Sequence, residues 1–185
     1  MTPEQITSLV YGFYSLMAPQ ELSWLYNVIE RLKLKNGLEI GVACGASLLI
    51  WERLGGLIVG IDNDGQNKAY GMLTRFIEIG EKKNLKLILG NSDASEVVKK
   101  AKEYFPDRTV DFLFIDGWHS YEAVKQDYLN YGPMVRPRGI IVIHDIAHVE
   151  AGVKRFWEEL LKENGNLRTE EFKDHNGIGV IHVEK

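Results

Sequence analysis

The sequence predicts an α/β protein whose mostly parallel sheet is covered by helices on both faces. Five short apolar runs alternate with amphipathic segments of helical length, which is the pattern of repeated βαβ units. The run Phe112-Leu113-Phe114-Ile115 is continuously apolar, as expected of a strand that is buried on both faces. It ends at Asp116, at the edge where open α/β sheets bind their ligands.

Two helices are predicted ahead of the first strand. Thr2, Pro3 and Glu4 supply a cap, a proline at the first helical position and an acid in the first turn, so one helix should run from residue 2 to about 17. A second is predicted over 20–34. The alternating units that follow have predicted strands at 38–41, 57–62, 85–90, 110–116 and 140–145, and predicted helices at 46–54, 67–80, 94–104, 121–131 and 150–163.

The end of the chain has a different pattern. Strands are predicted over 167–173 and 177–183, joined by Asp174-His175-Asn176-Gly177. Asn-Gly is a strong hairpin signal because both central residues of such a turn need positive φ, so the last strand should be antiparallel. We expect one domain over 1–185, with the helices of 1–36 covering the site and 37–185 forming the core.

Composition limits the classes of partner. A chain of 185 residues with 45% hydrophobic residues is long enough for one sizeable core. The 22 basic and 26 acidic residues give a formal charge of -4, which provides no electrostatic basis for binding nucleic acid or an anionic membrane. A single cysteine, no signal-peptide pattern and no bilayer-length apolar run favour a cytoplasmic protein. The expected partner is a small molecule, and a homo-oligomer is left open.

Acidic residues lie at or after the ends of all five predicted parallel strands. The carboxyl ends of parallel strands share one edge of a sheet, so these acids should gather there. Like charges in a crevice repel one another unless a ligand compensates them, which favours a polyhydroxylated or cationic ligand. A helix capping box with Glu96 is an alternative explanation for one of them, Asp93. The acids are Glu39, Asp62, Asp93, Asp116 and Asp145.

Small residues connect the first strand to its helix, in the segment Gly41-Val42-Ala43-Cys44-Gly45-Ala46-Ser47. They allow the backbone to approach a ligand closely, which indicates a nucleotide-type cofactor. With Asp62 about 20 residues further on, the segment loosely imitates the dinucleotide-binding fingerprint. Glu39 instead favours a cofactor without a pyrophosphate, because an acid repels phosphate. S-adenosylmethionine meets that requirement, since its sulfonium and ammonium groups are positive.

The segment Glu39-Ile40-Gly41-Val42-Ala43-Cys44-Gly45 resembles the first motif of class I S-adenosylmethionine-dependent methyltransferases, acid-x-Gly-x-Gly-x-Gly, with Ala43 replacing the middle glycine. The resemblance implies a Rossmann-like methyltransferase fold with a seven-stranded sheet. It also implies that Gly41 and Gly45 border the methionine part of the cofactor, that Asp62 binds the ribose hydroxyls and that Ser92 or Asp93 lies near the adenine. The candidate cofactor-binding residues are Glu39, Gly41, Ala43, Gly45, Ser47, Asp62, Asn63, Ser92, Asp93 and Asp116.

A later stretch narrows the resemblance. Residues 114–122, 135–139 and 143–145 are similar to a subgroup that includes cephalosporin hydroxylase-like proteins and metal-dependent sugar and macrolide O-methyltransferases. Catechol O-methyltransferase is more distant. Arg138 departs from the Pro-Gly-Gly turn that is usual at its position. The similarity extends over roughly 38–159, about two-thirds of the chain.

The resemblance implies a metal site. In the related metal-dependent enzymes, acids after the fourth and fifth strands hold a divalent cation, and Asp116 and Asp145 occupy those positions here. Magnesium suits such a site, because it prefers oxygen ligands and needs only one or two carboxylates. His144 is a candidate third ligand whose nitrogen would favour a softer metal. The alternative for His144 is a strand-end histidine satisfied by a hydrogen bond.

Two residues form the predicted catalytic set, His119 and Asp116. The loop after Asp116 should bring the imidazole of His119 near the reacting hydroxyl, and an ordinary histidine pKa of about 6.5 suits a general base at neutral pH. The alternative for His119 is a hydrogen bond that anchors its loop, and His148 is a second candidate base. Trp118 is interpreted as either a wall of the substrate pocket or a packed aromatic residue.

We therefore predict an S-adenosylmethionine-dependent O-methyltransferase. Its acceptor would be a hydroxyl group of a small molecule such as a sugar, polyketide or phenol, activated and held in line by Mg²⁺ or another divalent cation. Two alternatives stay open: a nucleotide-binding oxidoreductase or hydroxylase-like enzyme on the same fold, and a non-catalytic binding protein.

Overall fold

The computed structural model describes residues 2–12, 17–43, 45–63, 84–107, 109–148 and 152–184. Two helices lead the chain, α1 (Pro3–Gly12) and α2 (Pro19–Arg31). Each begins at a proline, whose missing N–H costs no hydrogen bond at the start of a helix. The sequence predicts that α1 reaches residue 17, but the helix is assigned to Gly12 and Met17 is not helical.

Seven strands form one sheet within the described residues. All seven predicted strands are confirmed, and their bounds agree within two residues except at the start of the fifth, which lies at 135 rather than 140. The strands are β1 (Gly37–Ile40), β2 (Ile58–Asp62), β3 (Leu85–Leu89), β4 (Val110–Ile115), β5 (Val135–His144), β6 (Thr169–Phe172) and β7 (Ile178–His182).

The longer β5 has a local cause. Val110 of β4 pairs with Val135 and Phe112 pairs with Ile140, with a register shift between the two pairs. The polar segment 136–139 therefore bulges out of the ladder without ending the strand. Sequence patterning predicts that the strand starts after this segment because its charged and proline residues do not look like a strand.

The strand order is β3-β2-β1-β4-β5-β7-β6. Strands β1 to β5 are parallel, and β7 is antiparallel to both β5 and β6, which confirms the predicted antiparallel last strand. From β1 the chain adds β2 and β3 on one side and β4 on the other. The carboxyl ends of β1 and β4 therefore flank a topological switch point, where doubly wound sheets bind ligands.

The connection between β6 and β7 differs from the predicted two-residue turn. Positive φ occurs at His175 (59°) and Gly177 (83°) rather than at Asn176 and Gly177. Asn176 and Gly177 instead direct their backbone N–H groups to Oε1 of Glu21, at 3.1 and 2.9 Å. The loop is shaped by this contact with α2, which the local Asn-Gly signal does not contain.

Helices cover both faces of the sheet, as predicted. On one face, α1, α2 and α3 (Ala46–Trp51) pack against it, and Phe112 and Phe114 of β4 are buried there. On the other face, α4 (Ser95–Tyr104), α5 (Tyr121–Tyr131) and α6 (Gly152–Glu163) pack over Leu113 and Ile115. Alternate side chains of β4 thus enter two separate cores, which explains its continuous apolar run.

Two further predictions concern the helices. The helix predicted over 67–80 lies outside the described residues, and the one predicted to begin at 150 is described from Gly152.

Among the described helices, none is both long enough and apolar enough to cross a membrane.

Candidate active site

The turn that follows β1, residues 41–45 and hereafter the β1 turn, has an unusual backbone. Gly41, Ala43 and Gly45 have φ of 85°, 41° and 71°, so three alternate residues are left-handed. A Cβ at Gly41 would overlap the carbonyl group of Asp116, and only glycine permits this close approach. The β1 turn therefore lies directly against the end of β4. Cys44 lies outside the described residues.

Ala43 adopts the conformation that the usual glycine of the motif would adopt freely. An L-residue other than glycine in the left-handed region costs roughly 1–2 kcal/mol. The turn is nevertheless held in place, because Oδ2 of Asp62 accepts hydrogen bonds from the backbone N–H groups of Val42 and Ala43, at 2.9 and 3.0 Å. Asp62 thus fastens the end of β2 to the β1 turn, and its contact with ribose hydroxyls stays a prediction.

Glu39 lies beneath the β1 turn and is only 1% exposed. Its carboxylate accepts hydrogen bonds from Ser47 Oγ and from Trp51 Nε1, the latter at 2.8 Å. Burial raises the pKa of Glu39 to about 8, an effect that the Ser47 hydrogen bond opposes and the charge of Asp116 reinforces. Most Glu39 side chains are therefore neutral at pH 7.

That neutrality corrects one step of the sequence interpretation. A charged acid before the turn would repel a phosphate, but a buried, mostly protonated Glu39 does so only weakly. The observed partners of Glu39 and Ser47 are each other and, for Glu39, Trp51 as well. Direct contact of Glu39 or Ser47 with a cofactor stays a prediction.

Asp116, His144 and Asp145 form an acid–histidine cluster at the ends of β4 and β5. Nδ1 of His144 lies 2.8 Å from Oδ1 of Asp116 and 3.5 Å from Oδ1 of Asp145. One ligand atom from each residue lies within 4.8 Å of the others. Neighbouring ligands around an octahedral cation with bonds of about 2.1 Å stand about 3 Å apart, so these spacings suit one ion.

His144 is buried, with a side chain only 4% exposed. Burial lowers its pKa, but the charge and hydrogen bond of Asp116, together with Glu21 and Asp145, hold the pKa well above the ordinary value. Its other nitrogen, Nε2, lies 3.4 Å from Oε2 of Glu21. The histidine therefore lies in a line of carboxylates that extends from α2 to the carboxyl edge of the sheet.

Asp145 links this cluster to His119. Its side chain is 3% exposed and its Oδ2 lies 3.2 Å from Nε2 of His119, whose side chain is 58% exposed. Burial raises the pKa of Asp145, which the charge of His144 opposes and that of Asp116 reinforces. The φ of Asp145 is 66°, a strained value of the kind that collects at functional sites.

The loop from 117 to 120 presents two side chains to solvent. Its main chain is anchored by the N–H of Gly152, which donates to the carbonyl of His119 at 2.9 Å. The imidazole of His119 is therefore available to a ligand on its exposed side. Trp118 is 67% exposed, so its interpretation as a packed aromatic residue is wrong. His148 is also exposed.

The ends of β2 and β3 carry the residues predicted to lie near a nucleoside. Asn63 Nδ2 donates to Oδ1 of Asn91 at 3.3 Å, which joins the two strand ends. The predicted capping box of Asp93 and Glu96 is not formed, because α4 is capped at Ala94 without a side-chain hydrogen bond. Asp93 is exposed instead and stays available to a ligand.

The sequence interpretation missed Asp127 of α5, which is only 2% exposed. Burial raises its pKa to about 6, against a hydrogen bond with the side chain of Ser92 and with reinforcement from the charge of Asp93. Tyr131, one turn further on, donates its hydroxyl to the Ser92 carbonyl at 2.6 Å. The available signal was the buried helical stripe of Val124, Asp127 and Tyr131, which contains an acid.

Glu21 was missed for the same reason. It is buried together with Leu25 and Val28, so it occupies the apolar face of α2 at helical spacing. A buried charge needs partners, and two of those of Glu21 come from residues 176 and 177, far along the chain. The sequence shows an acid on the apolar face of a predicted helix, but it does not identify the residues that contact this acid.

Comparison with known proteins identifies the family to which this chain belongs. A family model described as a methyltransferase domain matches residues 38–146, which is more than half of the chain. The chain belongs to that methyltransferase family. The matched residues contain the β1 turn and the whole acid–histidine cluster, and the class predicted from the sequence is confirmed.

Solved structures show the same fold. The O-methyltransferase TomG from Streptomyces achromogenes, in complex with S-adenosylmethionine, is 16% identical with a TM-score of 0.70. The match covers 99% of this chain and 89% of TomG. The methyltransferase MycE of the mycinamycin biosynthetic pathway, in complex with Mg, S-adenosylhomocysteine and mycinamycin VI, is 17% identical with a TM-score of 0.69. That match covers 97% of this chain and 54% of MycE. At such identities the likeness concerns the fold.

A curated relative is closer in sequence over a shorter stretch. The uncharacterized protein y4gI of Sinorhizobium fredii is 33% identical over 84 residues, which are 44% of this chain. The matched segment spans only 9% of y4gI. That relative is therefore a much longer protein with a related segment.

Proposed function

We propose that the protein transfers the methyl group of S-adenosylmethionine to a hydroxyl group of a small molecule, assisted by a divalent cation. The observation that carries the proposal is the contact of Gly41 with the Asp116 backbone, which sets the β1 turn beside the acid–histidine cluster. A cofactor on the turn and a cation in the cluster would then be neighbours. TomG with S-adenosylmethionine and MycE with Mg support this pairing.

The cofactor side would be built from the β1 turn and the ends of β2 and β3. S-adenosylmethionine supplies a methyl group on a positive sulfonium. The turn offers it a close backbone approach at Gly45, and Asp62 keeps the turn in shape. The exposed Asn63 and Asp93 offer polar groups to the nucleoside.

The cation side would be Asp116, His144 and Asp145. A divalent cation supplies a Lewis acid and a template, which makes an acceptor hydroxyl more acidic and fixes its orientation. Two carboxylates and one imidazole suit Mn²⁺ and other metals that accept nitrogen better than they suit Mg²⁺. We therefore propose Mn²⁺ as the first cation to test, although MycE holds Mg.

His119 would act as the general base. Its exposed imidazole accepts the hydroxyl proton as the oxygen attacks the methyl group, and the Asp145 carboxylate at 3.2 Å orients the ring and stabilises the imidazolium. The exposed Trp118 stands next to it in the chain and would form a wall that excludes water from the acceptor. The N-terminal helices belong to the same unit, because α2 is buried against the sheet.

Thermal unfolding with ligands tests the cofactor. S-adenosylhomocysteine at 100 times its dissociation constant should stabilise the native state by about 2.7 kcal/mol, whereas NAD should have no effect. The opposite pattern would favour the oxidoreductase alternative, which the family match does not support. Binding of S-adenosylhomocysteine without any methyl incorporation into a panel of sugars, phenols and macrolides would favour a hydroxylase-like or non-catalytic protein.

A further inference from the structure

Glu21 is a buried acid with no part in the chemistry described above. Its Oε1 accepts the N–H groups of Asn176 and Gly177, and its Oε2 accepts the N–H of Ala18 at 3.0 Å. These three N–H donors leave both oxygens of Glu21 as hydrogen-bond acceptors. The carboxylate is therefore held in place by donors from two separate segments of the chain.

Oε2 of Glu21 also faces the far nitrogen of His144. The two atoms are 3.4 Å apart, slightly longer than an ordinary hydrogen bond. Nε2 is fully buried and has no hydrogen-bond partner among the residues that the structure describes. A buried N–H without a partner is unfavourable, and Oε2 of Glu21 is the acceptor that faces this one.

The position of the Nε2 proton determines what the other nitrogen can do. With the proton on Nε2 of a neutral ring, Nδ1 carries a lone pair, and it faces the carboxylates of Asp116 and Asp145 at 2.8 and 3.5 Å. Without an ion, Nδ1 lies at hydrogen-bond distance from Asp116 and donates its proton to that carboxylate. A divalent cation that replaces this proton would lie between the lone pair of Nδ1 and the two carboxylates and offset their repulsion. That environment is complementary to a metal ion.

We propose that Glu21 is a positioning residue that holds the proton on Nε2 of His144 and so turns Nδ1 toward a divalent cation shared with Asp116 and Asp145. Metal-ligating histidines commonly donate their second N–H to a carboxylate, which fixes the tautomer and the ring orientation. The inference rests on the cation site of the proposed function. It extends that site to α2, on the far side of the ring.

Titration with Mn²⁺, followed by the electron paramagnetic resonance signal of the free ion, tests the inference without an activity assay. Loss of a carboxylate partner behind a ligating histidine typically weakens metal binding about 10- to 100-fold, and Glu21→Gln should show a loss of that size. The glutamine keeps the size of the side chain but places an NH₂ group against Nε2–H or against the backbone donors. Asp116→Asn, which alters a direct ligand, should bind Mn²⁺ still more weakly.

Ala18→Pro is the matched control. It removes the N–H that Ala18 donates to the same oxygen of Glu21, and the φ of Ala18, -68°, already suits proline. This variant loses a helix-cap hydrogen bond but keeps the carboxylate that faces His144. Its Mn²⁺ affinity should stay close to the wild-type value, because the donors of Asn176 and Gly177 still hold the carboxylate.

The outcomes separate the two levels of the proposal. If wild type binds no Mn²⁺, or binds it as weakly as Asp116→Asn, the cation site itself is wrong. If wild type binds Mn²⁺, Asp116→Asn does not, and Glu21→Gln binds like wild type, only the role of Glu21 is overturned. An equal loss in Ala18→Pro would assign the effect to the helix start rather than to His144.

A second measurement keeps the inference testable if Glu21→Gln does not fold. In Zn²⁺-loaded wild-type protein, long-range ¹H–¹⁵N spectra of His144 should show a protonated Nε2 and a shifted, metal-bound Nδ1. A proton on Nδ1, with the metal absent from the ring or bound at Nε2, would contradict the assignment.

Discussion

The β1 turn and the acid–histidine cluster touch at Gly41, yet they are held in place by different forces. The turn depends on backbone conformation, with left-handed φ at Gly41, Ala43 and Gly45 and with Asp62 as its anchor. The cluster depends on buried charge, since His144 and Asp145 are almost completely enclosed. The β1 turn should therefore be destabilised by substitutions that add atoms. The acid–histidine cluster should be disrupted by substitutions that remove a charge.

The largest effect is expected when the site loses its proposed proton acceptor, His119, which Asp145 links to the cluster. His119→Gln should lower the rate of methyl transfer by about 10²- to 10⁴-fold, as removal of a general base does. Release of S-adenosylhomocysteine in the presence of any acceptor that supports turnover measures this rate. Mn²⁺ affinity should hardly change, since His119 is not among the three grouped ligands. The control is His148→Gln, and a greater loss there would transfer the role of base to His148.

The turn should be broken most severely at Gly41. Gly41→Ala places a Cβ on the Asp116 carbonyl and adds left-handed strain, so it should lower the free energy of unfolding by about 3 kcal/mol or more. Denaturant unfolding measures the change. Gly55→Ala is the matched control, because Gly55 has a similar φ of 77° and nothing within 4 Å of an added Cβ. Equal losses in the two variants would show that the contact with Asp116 is unimportant.

Glu39 should make stability depend on pH. The folded protein holds its proton up to a pKa of about 8, whereas the unfolded chain releases it near 4.5. Between those values the native state binds more protons, so stability falls as pH rises, by up to about 1.4 kcal/mol per pH unit. Glu39→Gln resembles the protonated form and should lack this slope. Parallel stability curves for the two proteins between pH 5 and 8 would show that Glu39 ionises normally.

The smallest effects are expected where the sequence lacks the family's glycines. Ala43 and Arg138 have φ of 41° and 67°, so glycine at either position should relieve left-handed strain and raise stability by up to about 1 kcal/mol. Ala43→Gly lies in the β1 turn and should also change the affinity for S-adenosylhomocysteine. Arg138→Gly should not. Melting temperatures and ligand titrations measure the two effects, and a loss of stability in both variants would refute the strain.

What could be predicted from the sequence follows from chemistry that is local in the chain. Asp116, His144 and Asp145 come directly at or after the ends of buried strands, and parallel strands bring such ends together regardless of the details of packing. The alternation of strands and helices along the chain also predicts a central sheet with a layer of helices on each face. The clustering of these three residues therefore requires only that their strands be parallel neighbours.

The features that were missed depend on contacts between distant segments. Glu21 contacts the loop of residues 176 and 177, and Asp127 of α5 contacts Ser92, which follows β3. The turn between β6 and β7 follows its contact with α2 instead of its own Asn-Gly signal. The charge of Glu39 was misjudged because a sequence does not show how completely a strand end is covered.

The long-range contacts of Glu21 have a practical consequence for truncated forms of this protein. Family similarity begins at residue 38, and a fragment that starts there would look complete by sequence comparison. It would nevertheless lose the acid behind His144, together with Leu22, Leu25 and Ile29, which are fully buried. Expression fragments and transplanted domains should therefore begin ahead of α2, because this helix supplies buried side chains that lie outside the family match.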